Sequence, residues 1–392
     1  MSPISLKKLL LMSLLSTFFV GGTSKPAASP NSHYAEDALG KRIGPDVLKT
    51  TTTDYHTIDW IRIKSQGEIA RAPPPRTPYT VDPARNISLA SSELQLSGAE
   101  LGPPGTVPIP RSNLTPNNSK KGLPPKQSSK EKSKRQYSGD HWYCSSDAFV
   151  NNLGGSAVYS AYDAWVENPA DFSLLQIAVT VAETSKGEQT VEAGWINYPD
   201  QETAPHLFTY YTTDGYTGNG NYIGGWNREV AGWIQYSTTI FPGSYFAPLS
   251  QIDGPQHEIT IEYLLYEGNW WLAVQNEWIG YYPGSLFSIE GELTLADYSD
   301  QIYFYGEVYQ TEGALTTTDM GSGEFGTSGW PWAAYMHNIV YYNLSGDAIE
   351  WNAPYWCSDT SRYNVEYFPD SGSSWGTYVF IGGPGAGGVV GG

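Results

Sequence analysis

Residues 136–392 consist of short runs in which apolar and polar side chains alternate, separated by Gly, Asn, Asp and Pro. A period of two is the pattern of a β-strand, because successive side chains point to opposite faces of a sheet. No run shows the apolar spacing of an amphipathic helix. Roughly 250 residues of short antiparallel strands predict an all-β fold, either a sandwich of two packed sheets or a barrel.

The alternation also predicts where individual strands lie. The predicted strands span residues 174–182, 190–196, 207–212, 259–266, 270–277, 286–295, 302–309, 335–342 and 376–381. Strands 259–266 and 270–277 are expected to form a hairpin through a three-residue loop, Glu267-Gly268-Asn269. The glycine-rich end, residues 382–392, is predicted to be flexible.

The first 24 residues predict a secretory signal peptide. Lys7 and Lys8 precede an apolar run over residues 9–20, and small residues follow at 21–24. The apolar run is too short to span a bilayer, and no later segment has enough uninterrupted apolar residues to do so. We therefore expect a secreted, extracellular protein with no membrane partner.

Residues 25–135 differ sharply in composition from the rest of the chain. They are rich in Pro, Ser and Lys, and only residues 55–63 alternate like a strand, which predicts a largely disordered segment. The segment ends at Lys134-Arg135, a dibasic pair of the kind that processing proteases cut. The sequence therefore predicts a propeptide over residues 25–135 and a separate domain over residues 136–392. Candidate N-glycosylation sequons begin at Asn86, Asn113, Asn117 and Asn343.

Charge divides the chain at the same boundary. Residues 1–135 contain 19 basic and 10 acidic side chains, a net charge of +9, whereas residues 136–392 contain 3 basic and 30 acidic side chains, a net charge of −27. The acidic part would repel the phosphates of a nucleic acid, so a nucleic acid is excluded as a natural partner. We expect the basic segment to lie against the acidic domain and act as its inhibitor, and we expect the domain to work in acid.

The two cysteines, Cys144 and Cys357, both lie in the acidic part. In an oxidising compartment they can form one disulfide, which would close a loop of 214 residues. The alternative is a pair of buried free thiols. Neither cysteine has a His or Cys neighbour at zinc-site spacing, so no metal and no cofactor is predicted.

Two glutamates stand out by their neighbours. Glu192 lies in the run TVEAGW, where alternation puts it on one face beside the small residue Gly194. Glu307 lies in the run IYFYGEVY, where it shares a face with three tyrosines that are candidates for a substrate cleft: Tyr303, Tyr305 and Tyr309. Two glutamates brought close together cannot both ionise cheaply, so one acts as a base while the other keeps a proton. Such a pair can activate a water against a peptide carbonyl.

Two other functions are compatible with carboxylates on an aromatic β-fold. A glycoside hydrolase would use them for acid and base catalysis at a sugar, and Trp270-Trp271 would stack on pyranose rings. A carbohydrate-binding module without catalysis is the second alternative. Against both, the two tryptophans are better explained as core residues of a sandwich, and neither alternative accounts for the basic segment over residues 25–135.

Several ordered motifs resemble the neprosin family of glutamic peptidases. The resemblance covers most of residues 136–392 and runs through the blocks VEAGW at 191–195, LFTY at 207–210, TDGY at 213–216, EGNWW at 267–271, GYYP at 280–283, GEV at 306–308, MGSG at 320–323 and GGPG at 382–385. The resemblance implies an antiparallel β-sandwich, catalytic glutamates at Glu192 and Glu307, activity in acid and cleavage next to proline. The roles of base and acid are not assigned by it. Relatives often carry further cysteines that are absent here, which leaves Cys357 free to pair with Cys144.

Overall fold

The computed structural model describes residues 47–53, 55–75, 100–111, 121 and 140–392 in full, together with short backbone strands between residues 35 and 94. The predicted signal peptide, the dibasic pair and the sequons at Asn86, Asn113 and Asn117 lie outside the described residues. Asn343 is described and lies in a partly exposed turn, where its side chain donates to Asp347.

The strands of the described chain are, in order, β1 (Ala35–Glu36), β2 (Arg42–Ile43), β3 (Val47–Thr52), β4 (Thr57–Arg62), β5 (Ala90–Ser91), β6 (Glu93–Leu94), β7 (Thr106–Pro110), β8 (Asp140–Ala148), β9 (Gly154–Ser160), β10 (Phe172–Val181), β11 (Gln189–Asn197), β12 (His206–Thr212), β13 (Gly224–Trp226), β14 (Ile234–Gln235), β15 (Phe246–Ala247), β16 (His257–Tyr266), β17 (Asn269–Val274), β18 (Glu277–Pro283), β19 (Gln301–Gln310), β20 (Ala334–Tyr342), β21 (Ala348–Glu350), β22 (Trp356–Cys357), β23 (Asn364–Phe368) and β24 (Tyr378–Gly382). Short 3₁₀ helices span Ile63–Gln66, Gly284–Leu286, Gly326–Ser328 and Gly385–Gly387. Within these described residues, no helix is long and apolar enough to cross a bilayer.

Two large sheets form the body of the protein. One has seven strands in the order β13-β12-β11-β10-β19-β8-β22. The other has ten strands, with the path β14-β18-β17-β16-β9-β20-β24-β23 and with β21 and β5 paired to β20 and β16. Most of these pairs are antiparallel, because hairpins and longer returns connect neighbouring strands.

The two sheets pack face to face over one apolar core. Alternate residues of β10 and β19, such as Ile177 and Phe304, meet residues of β16 and β17, such as Ile261 and Leu272, in a single cluster of buried side chains. This arrangement confirms the predicted sandwich. Every residue of β10 is buried, because the core covers one face of this strand and a second aromatic cluster covers the other.

The predicted hairpin forms, with a shorter loop than expected. Only Glu267 and Gly268 connect β16 to β17, and their φ angles of 48° and 73° are those of a type I′ turn. The chain also turns again at Gln275, where φ is 55°, so the predicted strand 270–277 ends at Val274 and β18 begins at Glu277. The predicted three-residue loop and the predicted end of the second strand at residue 277 were therefore wrong. Alternation of apolar and polar residues does not reveal a two-residue turn when the strands on both sides have similar composition.

The predicted strand over residues 286–295 was wrong as well. Its ends are anchored by a side chain instead of by a neighbouring strand: Gln189 Nε2 donates to the carbonyl of Phe287 at 2.8 Å, and Gln189 Oε1 accepts from the amide of Leu295 at 3.1 Å. The carbonyl of Leu295 also accepts from Trp270 Nε1 at 2.6 Å. Phe287 and Leu295 are apolar because they pack in the core, and they do so from a segment that is not a strand.

The glycine-rich end is packed against the body, which corrects the prediction of a flexible tail. Gly383 pairs with Met320 as an isolated bridge, and residues 382–385 are buried. Further along, the amide of Ala386 donates to Thr316, and the amide of Gly391 donates to Asp319 Oδ2 at 3.0 Å. Backbone hydrogen bonds hold this segment even though it has few side chains to bury.

Cys144 and Cys357 form the predicted disulfide. The two residues are directly opposite each other where β8 pairs with β22, at a sequence separation of 213 residues. The bond therefore joins the first strand of the body to a segment near its end.

The described residues 47–111, which we call the front segment, form a small separate sheet in the order β3-β4-β7. The strand β4 confirms the predicted strand at 55–63. Ile58 and Trp60 pack on Phe241 of the body, and Gln66 exchanges two hydrogen bonds with the backbone of Gln235, at 2.8 and 2.9 Å. Further along the chain, the carbonyl of Pro74 accepts from Trp278 Nε1 at 3.0 Å. The front segment is thus docked on the body.

Trp270 offers a test of the core. Its side chain is fully buried and donates to Leu295, so Trp270→Ala should lower the free energy of unfolding by about 3–5 kcal/mol. Trp332 is 38% exposed, and Trp332→Ala should change the same quantity by about 0.5 kcal/mol or less. Urea unfolding followed by tryptophan fluorescence measures both, and equal losses in the two variants would contradict the assigned core.

Candidate active site

The outer face of the seven-stranded sheet carries both glutamates. This face is lined by a buried, mostly aromatic cluster: Tyr143, Phe172, Leu174, Ala178, Ile196, Tyr198, Phe208, Tyr210, Tyr216, Trp226, Tyr303, Tyr305 and Tyr309. Glu192 lies opposite Ala178, and Glu307 lies opposite Leu174, in neighbouring strand pairs. Because opposite residues of paired strands share a face, the two glutamates point to the same side of the sheet, away from the core.

Glu192 on β11 is fully buried and surrounded by hydrogen-bond donors. Its Oε1 accepts from the hydroxyl of Tyr216 at 2.7 Å and from Thr190 at 3.0 Å. Its Oε2 accepts from Gln176 Nε2 at 2.8 Å and from the hydroxyl of Tyr305 at 3.1 Å. A carboxyl removed from water requires such partners, because burying a charge without them costs several kcal/mol.

Gly194 explains why Gln176 reaches Glu192. The two residues are opposite each other on β10 and β11, and a Cβ at position 194 would lie 2.7 Å from the Cβ of Gln176. It would also lie 2.0 Å from the carbonyl oxygen of Leu175, so any side chain at position 194 would clash with β10. Glycine at this position therefore lets β10 approach closely, and the amide of Gln176 donates to the Glu192 carboxyl.

Glu307 on β19 is also fully buried, with a different partner. His141 Nδ1 lies 2.6 Å from Glu307 Oε1. The imidazole comes from β8, whose residue Tyr143 is opposite Glu307 in the sheet. Within the described part of the chain, Glu307 Oε2 has no hydrogen-bond partner.

Tyr305 lies between the two carboxyls, which do not hydrogen-bond to each other. Ala178 and Leu174 are four residues apart on β10, so the glutamates are offset by about 14 Å along the strands. Tyr305 stands between them and donates to Glu192. Burial and the negative charges of Glu192 and Glu307 raise the pKa of Tyr305 well above its ordinary value, so this phenol remains a donor.

The three tyrosines proposed from sequence share the face of Glu307, as alternation predicted. Tyr303 is opposite Ala178 and thus lies in the row of Glu192, whereas Tyr309 lies beyond Glu307 with its ring centroid 4.7 Å from that of His141. All three are buried in the outer cluster. Trp270 and Trp271 are fully buried and pack in other clusters, which corrects the suggestion that they stack on a sugar.

Lys121 lies directly against Glu192 on the outer face. Its Nζ donates to Glu192 Oε2 and to Gln176 Oε1, and both its side chain and that of Glu192 are fully buried. Four aromatic rings surround the ammonium group, at centroid distances of 4.9 to 5.8 Å: Phe208, Trp226, Tyr210 and Tyr305. The buried charge of Glu192 is thus matched by a residue from the segment that precedes the body.

Sequence reasoning missed three of these residues. Lys121 is one member of a lysine-rich run, and nothing in its local pattern separates it from its neighbours. His141 has no local signal either, because its partner Glu307 is 166 residues away. Gln176 carried a usable signal, since it is the one amide side chain in a strand made mostly of apolar residues. Among the described residues, no group of three or more His, Cys, Asp or Glu is arranged to hold a metal ion.

Comparison with known proteins supports the resemblance seen in the sequence. The Neprosin family profile matches residues 169–384, a span that contains both glutamates. Two solved structures are similar: Scytalido-glutamic peptidase with a peptide-based transition-state analogue (8% identity, TM-score 0.33) and SCP-B, a member of the Eqolisin family of peptidases, in complex with the tripeptide Ala-Ile-His (9% identity, TM-score 0.31). Each alignment covers 63% of this chain and 99% of the other, but neither score is high enough to support an argument. Because the family match spans more than half of the chain, this protein belongs to the neprosin family.

Proposed function

We propose that the protein is a secreted endopeptidase of the glutamic type, in which Glu192 and Glu307 activate water against a peptide bond. Membership of the neprosin family makes it a peptidase, a hydrolase whose substrates are peptides or proteins. The observation that carries the proposal of a glutamic type is the placement of two buried carboxyls on one sheet face, with Tyr305 between them.

The surroundings of the glutamates suit hydrolysis of an amide. Because the two carboxyls are offset by about 14 Å along the strands, a peptide bound over Tyr305 would extend between them. One carboxylate would take a proton from the attacking water, and the other would supply a proton to the substrate. Tyr305 and Gln176 provide neutral donors within the same site, which can stabilise a developing oxyanion. A water-poor site strengthens these hydrogen bonds.

The proposed substrate is a peptide that contains proline, cut in acid. The preference for proline rests on the family resemblance, and the flat rings of Phe208, Tyr210 and Trp226 around the site offer apolar surfaces on which a pyrrolidine ring can pack. Activity in acid is supported by the charge of −27 on residues 136–392, because protonation of carboxylates relieves their mutual repulsion.

Secretion is proposed from the signal peptide pattern over residues 1–24. The disulfide between Cys144 and Cys357 supports this proposal, since such bonds persist in oxidising compartments outside the cytosol.

We further propose that residues 25–135 act as an inhibitory propeptide. Lys121 fills the space beside Glu192 that a substrate would need, and its ion pair removes that carboxylate from chemistry. Acid protonates carboxylates but leaves lysine and arginine charged, so the attraction between the +9 and −27 parts of the chain weakens as the pH falls.

The first prediction concerns the two glutamates. With the front part removed by an added protease that cuts after Arg135, Glu192→Gln and Glu307→Gln should each lower kcat on a proline-containing peptide at least about 100-fold at about pH 3. Glu258→Gln is the matched control, because Glu258 is also paired with a histidine but lies on the other sheet, and it should retain activity. Retained cleavage in either site variant would remove that glutamate from the mechanism, and retained cleavage in both would overturn the glutamic type.

The second prediction concerns latency. The intact chain carrying Lys121→Gln should cleave the same peptide at least about 10-fold faster than the intact wild-type chain, because a neutral amide holds Glu192 less firmly than an ammonium ion. Lys120→Gln is the control and should remain latent. In the wild type, release of residues 25–135 should be faster at about pH 3 than at about pH 7. No gain of activity in Lys121→Gln, or release that is no faster in acid, would contradict the inhibitory role.

A further inference from the structure

We propose that the outer face of the seven-stranded sheet contains a binding site for primary alkylammonium groups, and that Lys121 is the occupant which the chain itself supplies. The ligands of this site are aliphatic primary amines, either free or as the side chain of a lysine in a peptide. The expected effect of such ligands on catalysis rests on the proposed function, whereas their binding does not.

Two buried oxygen atoms accept hydrogen bonds from the ammonium group. Lys121 Nζ donates to Glu192 Oε2 and to Gln176 Oε1, and all three side chains are fully buried. Gln176 Nε2 donates to Glu192 Oε2 at 2.8 Å, so the amide oxygen is left to face the ammonium group. Among the described contacts, Lys121 is the only donor to Gln176 Oε1. The two acceptors therefore suit one nitrogen that carries more than one proton.

Four aromatic rings enclose the same nitrogen. The ring centroids of Phe208, Trp226, Tyr210 and Tyr305 lie 4.9, 5.6, 5.7 and 5.8 Å from Lys121 Nζ, which is within the range of cation–π attraction. All four rings are buried. A water molecule can replace the hydrogen bonds of an ammonium group, but it has no charge that the ring faces attract. The site therefore favours a cation over water.

All of these contacts are supplied by the body, in which few cations are available. Gln176 and Glu192 lie on β10 and β11, and the rings lie on β12, β13 and β19, so a substitution at position 121 leaves them in place. Residues 136–392 contain three basic side chains: Lys186, Arg228 and Arg362. None of the three is among the described contacts of Glu192. The cation must come from elsewhere, and the net charge of −27 attracts cations to the body.

The contacts also define which amines fit. Replacing the ammonium protons by methyl groups would remove every N–H donor and hold the nitrogen away from both oxygen atoms, so a quaternary ammonium ion is excluded. The part of the Lys121 side chain beyond Cβ corresponds to n-propylamine, which sets the size of the ligand. Such an amine is charged at neutral pH and in acid, as lysine is.

The test uses the full chain carrying Lys121→Ala, which removes the part of the side chain that n-propylamine replaces. Isothermal titration calorimetry at about pH 7 should show saturable binding of n-propylammonium, and about five times the Kd should raise Tm by about 2–4 °C. n-Propanol and trimethylpropylammonium should neither bind nor shift Tm. The wild-type chain should not respond, because Lys121 fills the site. No binding to folded Lys121→Ala, or equal binding of n-propanol, would overturn the inference.

Lys49→Ala is the matched control. Lys49 Nζ also pairs with a glutamate, at 2.8 Å from Glu100 Oε2, but the Glu100 side chain is 84% exposed. The full chain carrying Lys49→Ala should therefore bind no n-propylammonium. Binding of equal strength in Lys49→Ala and Lys121→Ala would show that the amine binds elsewhere.

Two further substitutions locate the bound amine. Added to Lys121→Ala, Glu192→Gln should weaken n-propylammonium binding at least about 10-fold, because a neutral amide accepts from an ammonium group less strongly than a carboxylate does. Phe208→Leu keeps an apolar side chain but removes the nearest ring, and it should weaken binding about 3- to 10-fold. Unchanged affinity in both double variants would contradict the assigned site.

Should Lys121→Ala not fold, the wild-type chain cut after Arg135 decides. Once residues 25–135 have been removed, n-butylammonium should bind and n-butanol should not. Nα-acetyl-lysine methylamide, titrated in parallel, separates the two sources of the ligand: its binding shows that the site accepts a lysine within a peptide, and binding of n-butylammonium alone limits the site to free amines. Binding of neither compound would refute the inference.

Peptide cleavage by the same samples separates this inference from the proposed function. In Lys121→Ala, n-propylammonium at about ten times its Kd should lower kcat/KM on a proline-containing peptide about 10-fold, because the amine and the substrate compete. If the amine binds but the variant cleaves no peptide, the binding site stands and the proposed function fails. If the variant cleaves the peptide and the amine neither binds nor inhibits, the inference fails and the peptidase stands.

Discussion

The burial of carboxylic acids is the constraint around which the outer face of the seven-stranded sheet is organised. Glu192 and Glu307 have no exposed surface, so each must find in the protein what it has lost from water. The two glutamates obtain these partners in different ways. Glu192 accepts hydrogen bonds from hydroxyls and an amide and forms an ion pair with the ammonium group of Lys121, whereas Glu307 contacts the imidazole of His141 on the next strand.

Strand order determines which partners are available. β10 lies between β11 and β19, so Gln176 and the glutamates come from adjacent strands although Glu307 is far from the other two residues in sequence. β8 lies on the other side of β19 and brings His141 to Glu307. The aromatic residues of these strands then fill the space between the polar groups, which keeps water out and holds each donor in one orientation.

Much of this could be predicted from the sequence, because period-two alternation specifies both the strand and the face of each side chain. Glu192, Glu307 and the tyrosines at 303, 305 and 309 were assigned to their faces in this way. Alternation has no information on register between distant strands, so the contacts of Lys121 with Glu192 and of His141 with Glu307, across 71 and 166 residues, could not be found. The same alternation wrongly predicted a strand over residues 286–295. The side chain of Gln189 makes the hydrogen bonds there that a neighbouring strand would otherwise make.

The bond between Cys144 and Cys357 affects how the local structure responds to pH. Ion pairs and charge-assisted hydrogen bonds depend on protonation, so their strength varies with the pH of the surroundings. A covalent cross-link does not, and this one is attached to β8 three residues after His141. The strand that aligns the imidazole is therefore fastened on one side by a bond that is insensitive to protons, which preserves local geometry under conditions that weaken the electrostatic contacts around it.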